Sequence, residues 1–447
     1  MALSGIQIFK LMPKKNCGEC GVPTCLAFAM NLAAGKAELD LCPYVSDDAK
    51  EKLASASAPP IRTVQIGVGD AAVKAGGETV LFRHEKTFNN PTALGCLIAT
   101  SEADKAVDGK LKAFKELRYE RVGLTLKPEL IAVKDGGDPA RFAQIAKKAS
   151  DAGAAVILMS DNLDAMKVAL GQVGKAKPLI YAATAANLDA MAALAKEFDC
   201  PITVKADKVG DVARLSAKLV EQGFKDIVLD SGARELAPLL RDNVMIRRLA
   251  LENLYRPLGF PTIIFPCEMA DTPTDEALVA GTFISKYGGI AILSDFRGEL
   301  VFPLLLQRLN IFTDPQRPMT TEQGIYPIGN PTESSPVLIT SNFSLTYFIV
   351  SGEVEASRVP SWLLVLNTDG LSVLTAWAAG KFVADLIAPF VKKSGIEDKT
   401  KTRKLIIPGA AAIISGDLEE ELSGWEVAIG PREGAHIPAY LRQNYVA

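Results

Sequence analysis

Short apolar runs of β type recur along the middle of this chain, and this spacing is the strongest constraint on its fold. The runs fall at 79–82 (TVLF), 130–133 (LIAV), 155–159 (AVILM), 179–181 (LIY), 202–204 (ITV), 226–229 (DIVL), 262–265 (TIIF) and 289–293 (GIAIL). Amphipathic stretches such as 139–149 and 188–196, whose apolar residues recur at helical spacing, lie between them. Continuously apolar strands alternating with helices predict a parallel sheet covered by helices, and eight such units are the number that closes a (β/α)8 barrel. An open doubly wound sheet is the alternative.

The chain has 447 residues, 48% of them apolar, which is enough for more than one core. A small-residue and proline stretch at 53–60 (LASASAPP) has the composition of a linker, and a second irregular stretch runs from 313 to 336. These breaks predict three domains: 1–58, a TIM barrel over 61–312, and 325–447. In the last, apolar runs at 344–350, 362–366, 404–407 and 425–429, a helix over about 372–391 and another near Leu418 spell a small Rossmann-like α/β fold. With 52 acidic and 49 basic residues the net charge is -3, so nothing in the balance marks a nucleic-acid or anionic-membrane partner. Neither a signal peptide nor an apolar run long enough to span a bilayer is evident, which predicts a cytoplasmic protein.

Four of the seven cysteines, Cys17, Cys20, Cys25 and Cys42, form a C-x2-C-x4-C-x16-C pattern with Gly18, Gly21 and Pro23 among the first three. In a reducing compartment such crowding points to metal rather than disulfides. Thiolates suit iron-sulfur clusters and zinc alike. The uneven spacing, the absence of a second C-x2-C pair and the Pro43 that follows the last cysteine favour a 4Fe-4S cluster, with zinc as the alternative. Thr24 stands where it can cap a helix beginning at Cys25, which would aim a helix N-terminus at an anionic centre. A metal site would also stabilise a segment too short for a substantial core.

In the C-terminal part, glycine-bearing turns follow the strands at 366–372, 408–411, 414–418 and 430–435. Loops beyond the carboxyl ends of strands form the ligand crevice of an open α/β sheet, and glycine lets backbone approach a ligand closely. Ordinary turns explain the same residues, since no full G-x-G-x-x-G is present.

The run from Leu11 through Cys17, Cys20 and Cys25 resembles the cluster domain of the corrinoid iron-sulfur protein large subunit, the gamma subunit of the acetyl-CoA decarbonylase/synthase complex. The likeness extends to 367–373 (NTDGLSV) and 430–438 (GPREGAHIP), and so covers nearly the whole chain. The resemblance implies that Cys17, Cys20, Cys25 and Cys42 hold a low-potential 4Fe-4S cluster and that the last domain binds a corrinoid of cobalamin type. It implies corrinoid contacts at Thr340, Thr346, Gly370, Leu371, Ser372, Val373, Gly434 and Ala435, with Thr375 one helical turn further on. It also implies a methyl carrier of the reductive acetyl-CoA (Wood-Ljungdahl) pathway. Co(I) would take a methyl group from methyl-tetrahydrofolate or a methyl-tetrahydropterin through a separate methyltransferase, methyl-Co(III) would deliver it to acetyl-CoA synthase/CO dehydrogenase, and the cluster would reactivate Co(II). A heterodimer with a smaller barrel subunit follows from the same resemblance.

The Asp-x-His-x-x-Gly pattern that places a histidine below cobalt is absent, and His84 and His436 are the only histidines. His436 fits a loop beside the ring and His84 a structural role, so the resemblance implies a base-off corrinoid. Acidic and amide residues after the barrel strands, namely Asp135, Asp138, Asp161, Asn162, Asp207, Asp230 with Ser231, and Asp295, offer acid-base chemistry or simple loop capping, and capping is the expected reading. Two other functions stay open on the residues alone: an iron-sulfur electron-transfer subunit with a nucleotide-binding domain, and a pterin methyltransferase working through its own barrel.

Overall fold

The computed structural model describes residues 5–33, 37, 39–46, 49, 59–121, 124–314 and 318–445. Residues 53–58 of the linker and 315–317 of the second irregular stretch lie outside them. The chain divides into two compact units. One comprises Met1–Leu81, Phe88–Leu117 and Pro128–Phe312, and the other Phe82–Thr87, Arg118–Lys127 and Thr313–Ala447.

In the first unit, helices Gly5–Leu11 and Cys25–Ala33 pack against each other. They share a small core of Ile8, Met12, Phe28, Ala29 and Val45 together with Cys25 and Cys42. Thr24 caps the second helix as its sequence position suggests, its Oγ1 accepting from the Ala27 amide at 3.1 Å.

The rest of this unit is an eight-stranded parallel barrel: β1 (Ala93–Ala99), β2 (Leu130–Lys134), β3 (Ala155–Met159), β4 (Leu179–Ala183), β5 (Ile202–Lys205), β6 (Ile227–Asp230), β7 (Ile263–Ile264) and β8 (Ile290–Leu293). Strand neighbours run in order from β6 back through β1 to β8 and β7. The seam closes through one parallel bridge, Leu229 to Thr262, and the 2.9 Å bond from the Leu229 amide to the Pro261 carbonyl. Helices follow the strands, several with strong caps. Asp138 accepts from the Ala140 and Arg141 amides ahead of Pro139–Asp151, and Asn162 accepts likewise from the Asp164 and Ala165 amides ahead of Leu163–Val173. An antiparallel hairpin, Val64–Ile66 with Val73–Ala75, packs its apolar residues into the barrel interior beside the first residues of the strands, including Ala93, Leu130, Ala155 and Leu179.

One predicted strand is corrected. Residues 79–82 form no strand, and the first barrel strand is instead β1, ALGCLIA. Its small residues hid it: a Cβ on Gly95 would stand 2.8 Å from the Leu130 Cβ and 2.9 Å from Ile292 Cδ1, so crowding inside the barrel demands glycine there. His84 therefore does not follow a barrel strand; it is exposed and stacked on Phe82, with ring centroids 5.6 Å apart.

The second unit is built on a five-stranded sheet of β9 (Gly324–Ile328), β10 (Val337–Ser341), β11 (Ser361–Leu366), β12 (Lys404–Ile407) and β13 (Glu426–Ile429), in the order β9-β11-β10-β12-β13. Only β9 is antiparallel, and it lies within the stretch expected to be irregular. Side chains alternate between two cores: Val337, Ile339, Leu364 and Leu405 face helix Ala384–Lys393, while Leu338, Leu363, Val365 and Ile406 face helices Ser344–Ser357 and Ile437–Tyr445. Both faces are covered, as a parallel sheet requires.

Two expectations change here. Residues 344–350 belong to a helix, not a strand, and the expected 372–391 helix is two, Val373–Ala378 and Ala384–Lys393, parted at Gly380 with φ +67°. A further hairpin, Tyr119–Arg121 with Leu124–Leu126, comes from the connection between β1 and β2 yet belongs to this unit; its Arg121 guanidinium lies 4.0 Å from the Phe348 ring centroid.

Candidate functional site

The four cysteines sit in one small module. Cys25 and Cys42 are buried, Cys20 is half-buried and Cys17 exposed. Cys25 opens its helix, and Asn16 grips it twice: the Asn16 side-chain oxygen accepts from the Cys25 amide at 2.8 Å, and the Asn16 amide points at the Cys25 sulfur at 3.4 Å. Gly18 (φ +78°) and Gly21 (φ +84°) turn the backbone through left-handed conformations, with open space where a Cβ would stand. Among the described residues no three His, Cys, Asp or Glu side chains are drawn together tightly enough to hold a metal, so the module collects the thiols without closing them into a ligand set. The donor chemistry fits an iron-sulfur cluster: four thiols in one module, an amide already directed at sulfur, and glycine turns between the first three cysteines.

At the carboxyl ends of the barrel strands lies a wide hollow of about 1280 Å3. The acidic residues at these strand ends are mostly occupied with loop geometry. Asp135 accepts from the Gly137 amide and the Ser160 hydroxyl, both at 2.8 Å, and Asp295 from the Phe296 amide at 2.8 Å. Asp230, fully buried, accepts from the Gly232 amide at 2.8 Å and the Tyr181 hydroxyl at 2.6 Å, and pairs with both Arg234 terminal nitrogens. Arg234 also reaches Glu268 at 2.6 Å. Burial, then the Asp230 carboxylate, push the Tyr181 hydroxyl upward. Asp161 and Asp207 stand on the hollow's lining.

The second unit carries a smaller and more apolar cavity, about 280 Å3, between the carboxyl ends of β10 and β12. The strand order reverses there: β10 leads to β11 on one side, and β12 lies on the other. Such a switch point is where open α/β sheets bind ligands. The lining joins Thr340 of β10, Thr346 of the Ser344–Ser357 helix, Ser372 and Val373 after β11, and Gly434 after β13. Gly370, Leu371, Thr375 and Ala435 do not line it. Leu371 packs on the core below, and Thr375 meets the Ser372 hydroxyl at 3.0 Å. Thr340 is 1% exposed and its hydroxyl has no hydrogen-bond partner. A buried orphan on a cavity wall is the place where a polar ligand group compensates desolvation. Ile349 and Leu374 also line the cavity while 48% and 55% exposed, leaving apolar surface for a flat ligand to cover. Polar hydroxyl, apolar wall and close backbone together fit a corrinoid.

Asn342 was not legible as a site residue. Its side-chain oxygen accepts from the amides of Thr368 (2.9 Å) and Gly370 (3.0 Å) and from the Thr368 hydroxyl (3.0 Å), and its nitrogen donates to Asn367 at 3.1 Å. It thereby fixes the loop after β11, which delivers Ser372, to the end of β10. Ile349 and Val350 were missed because 344–350 read as a strand; at helical spacing they fall on the same face as Thr346. Gly370 acts through shape rather than lining: φ is +76°, and a Cβ would meet Thr320 Cγ2 at 2.9 Å. His436 is exposed in the short turn at Gly434–His436.

The family model described as CO dehydrogenase/acetyl-CoA synthase delta subunit matches residues 63–441, and a model described as "Putative Fe-S cluster" matches residues 12–44, which contain all four clustered cysteines. The corrinoid/iron-sulfur protein large subunit of Moorella thermoacetica is 47% identical over 446 residues, covering 99% of each chain. The acetyl-CoA decarbonylase/synthase complex subunit gamma of Methanothermobacter thermautotrophicus is 35% identical over 453 residues, again covering 99% of each. Among solved structures, dihydropteroate synthase from Thermus thermophilus is 14% identical with a TM-score of 0.38, covering 54% of this chain and 98% of that one. The delta-subunit model begins after the cysteine segment, whereas the gamma-type relatives align from end to end through it. The chain belongs to the family of corrinoid/iron-sulfur protein large subunits and acetyl-CoA decarbonylase/synthase gamma subunits.

Proposed function

We propose that this chain is a corrinoid methyl carrier of the acetyl-CoA synthase system, the methyl-accepting and methyl-donating component of a methyltransferase reaction rather than a complete enzyme. The observation that carries this reading is the cavity at the switch point of the C-terminal sheet, with the orphaned Thr340 hydroxyl on its wall and exposed Ile349 and Leu374 at its edge. When bound there, a corrinoid would supply a cobalt centre that can carry a methyl group.

The chain's own residues bind and orient that cofactor. Thr340, Thr346 and Ser372 offer hydroxyls to its amide side chains, and Val373 provides an apolar wall that Leu371 backs from the core below. Gly434 brings the backbone near, with Ala435 next to it in the same turn, Gly370 shapes the loop that carries Ser372, and Thr375 steadies Ser372. Cys17, Cys20, Cys25 and Cys42 would hold a 4Fe-4S cluster, which would supply single electrons to a cofactor left one electron short. The work divides among a cluster module at 1–58, a barrel at 61–312 apart from its inserts at 82–87 and 118–127, and a corrinoid module at 325–447 that takes in those two inserts. The partners in this reading are a smaller subunit of the same carrier, a methyl-tetrahydrofolate or methyl-tetrahydropterin methyltransferase, and acetyl-CoA synthase/CO dehydrogenase.

Purification without oxygen, followed by iron and cobalt analysis and a visible spectrum, tests the proposal. One cobalt and four irons per chain, and methylation by methyl iodide after reduction, are expected. Protein that is intact yet empty of corrinoid and unable to take one up would overturn it, and a bound flavin in its place would favour an electron-transfer subunit.

A further inference from the structure

Cys42 is followed by Pro43 and Tyr44, and Tyr44 reaches back across the module. Its hydroxyl donates to Glu19 at 2.8 Å, and the Lys15 ammonium stands 3.7 Å from its ring centroid. Glu19 lies between Cys17 and Cys20, and Lys15 two residues before Cys17. One side chain thus joins the turn that carries Cys42 to the loop that carries Cys17 and Cys20. Tyr44 is 39% exposed and takes no part in the module's apolar core, so its contacts serve something other than core packing.

We propose that Tyr44, held by Glu19 and Lys15, is a positioning residue for the iron-sulfur cluster, a clip that keeps the Cys42 turn closed against the Cys17–Cys20 loop and shields the cluster from water. This rests on the iron-sulfur reading above. Residues around a metal's ligands set both retention and potential, and exposure of a cluster to solvent favours its more highly charged reduced form.

The test uses the full chain, purified without oxygen and loaded with its cluster. Two quantities are read: the rate of iron release to a ferrous chelator, and the cluster midpoint potential from a titration followed by electron paramagnetic resonance. Tyr44→Ala is expected to release iron about tenfold faster than the unaltered chain and to titrate at a higher potential. Tyr44→Phe keeps the ring under Lys15 but loses Glu19, and should fall between the two. If Tyr44→Ala assembles no cluster, Tyr44→Phe decides: release at the unaltered rate overturns the clip, and faster release supports it. Unchanged rate and potential in both variants overturn the clip alone, whereas an unaltered chain without a 4Fe-4S signal removes the reading beneath it.

Discussion

The side-chain oxygen of Asn342 accepts a hydrogen bond from the Gly370 amide at 3.0 Å, so the residue after β10 determines where the loop after β11 lies. Asn342 is 4% exposed, and replacing it with alanine strands the Thr368 and Gly370 amides in a buried site. Each buried donor left unmade costs about 1–3 kcal/mol. Asn342→Ala is expected to lower the urea midpoint of the C-terminal unit and to reduce cobalt retained after gel filtration. Asn342→Asp, which preserves the acceptor, should retain more cobalt than alanine; equal retention in the two would argue against the clamp.

Arg234 and Asp230 form a two-pronged pair beside a strand seam that one bridge closes. Removing one partner of a buried pair leaves an uncompensated charge, at a cost on the order of 3–5 kcal/mol. Arg234→Met should therefore destabilise the barrel more than Asp230→Asn, because the asparagine leaves Arg234 its bond to Glu268. Urea denaturation followed by far-ultraviolet circular dichroism would reveal the order, and the reverse order would contradict this account.

Burial holds the Glu78 carboxyl above its ordinary 4.5, with the Arg247 charge and bonds from Asn89 and Arg247 acting the other way. The folded chain therefore keeps this proton to higher pH than the unfolded chain does. The associated stability is whole below the unfolded value and is lost as pH rises through the folded one. In Glu78→Gln the stability profile should lose that downward slope in the window opening above 4.5. Urea midpoints measured at several pH values check this, and a slope identical to that of the unaltered chain would refute it.

Iron removal should loosen one part of the chain selectively. The module around Cys25 and Cys42 has a small core and, once loaded, gains most of its order from metal. Chelation without oxygen is expected to expose bonds between residues 5 and 46 to trypsin while the barrel stays resistant. Limited proteolysis with mass spectrometry reads the outcome, and equal resistance before and after chelation would show that the module stands without its cluster.

The barrel was legible wherever its strands are made of branched apolar residues, as at 155–159 and 290–293. It was illegible at β1, where interior crowding demands glycine at position 95 and the small residues around it weaken the β signature. Residues 344–350 failed for the opposite reason: Thr, Tyr, Phe, Ile and Val favour strands, but tertiary packing against β10 makes them the first turns of a helix. That error carried into the site, since the face shared by Thr346, Ile349 and Val350 exists only at helical spacing. The cysteines needed no fold at all to be noticed, because thiols crowded at that spacing have few other uses. Asn342 could not be found beforehand, since its partners lie 25 to 28 residues away along the chain.

The hairpin at 119–126 has a practical bearing on how this molecule can be taken apart. The module that ends the chain is not a continuous stretch of it: two loans, Phe82–Thr87 and Arg118–Lys127, are made from inside the span that encodes the barrel. A piece cut at residue 313 would leave Phe348 without the guanidinium that covers it. Gene-level swaps between relatives therefore have to exchange these inserts along with the tail, or graft a tail onto a hairpin it did not evolve beside.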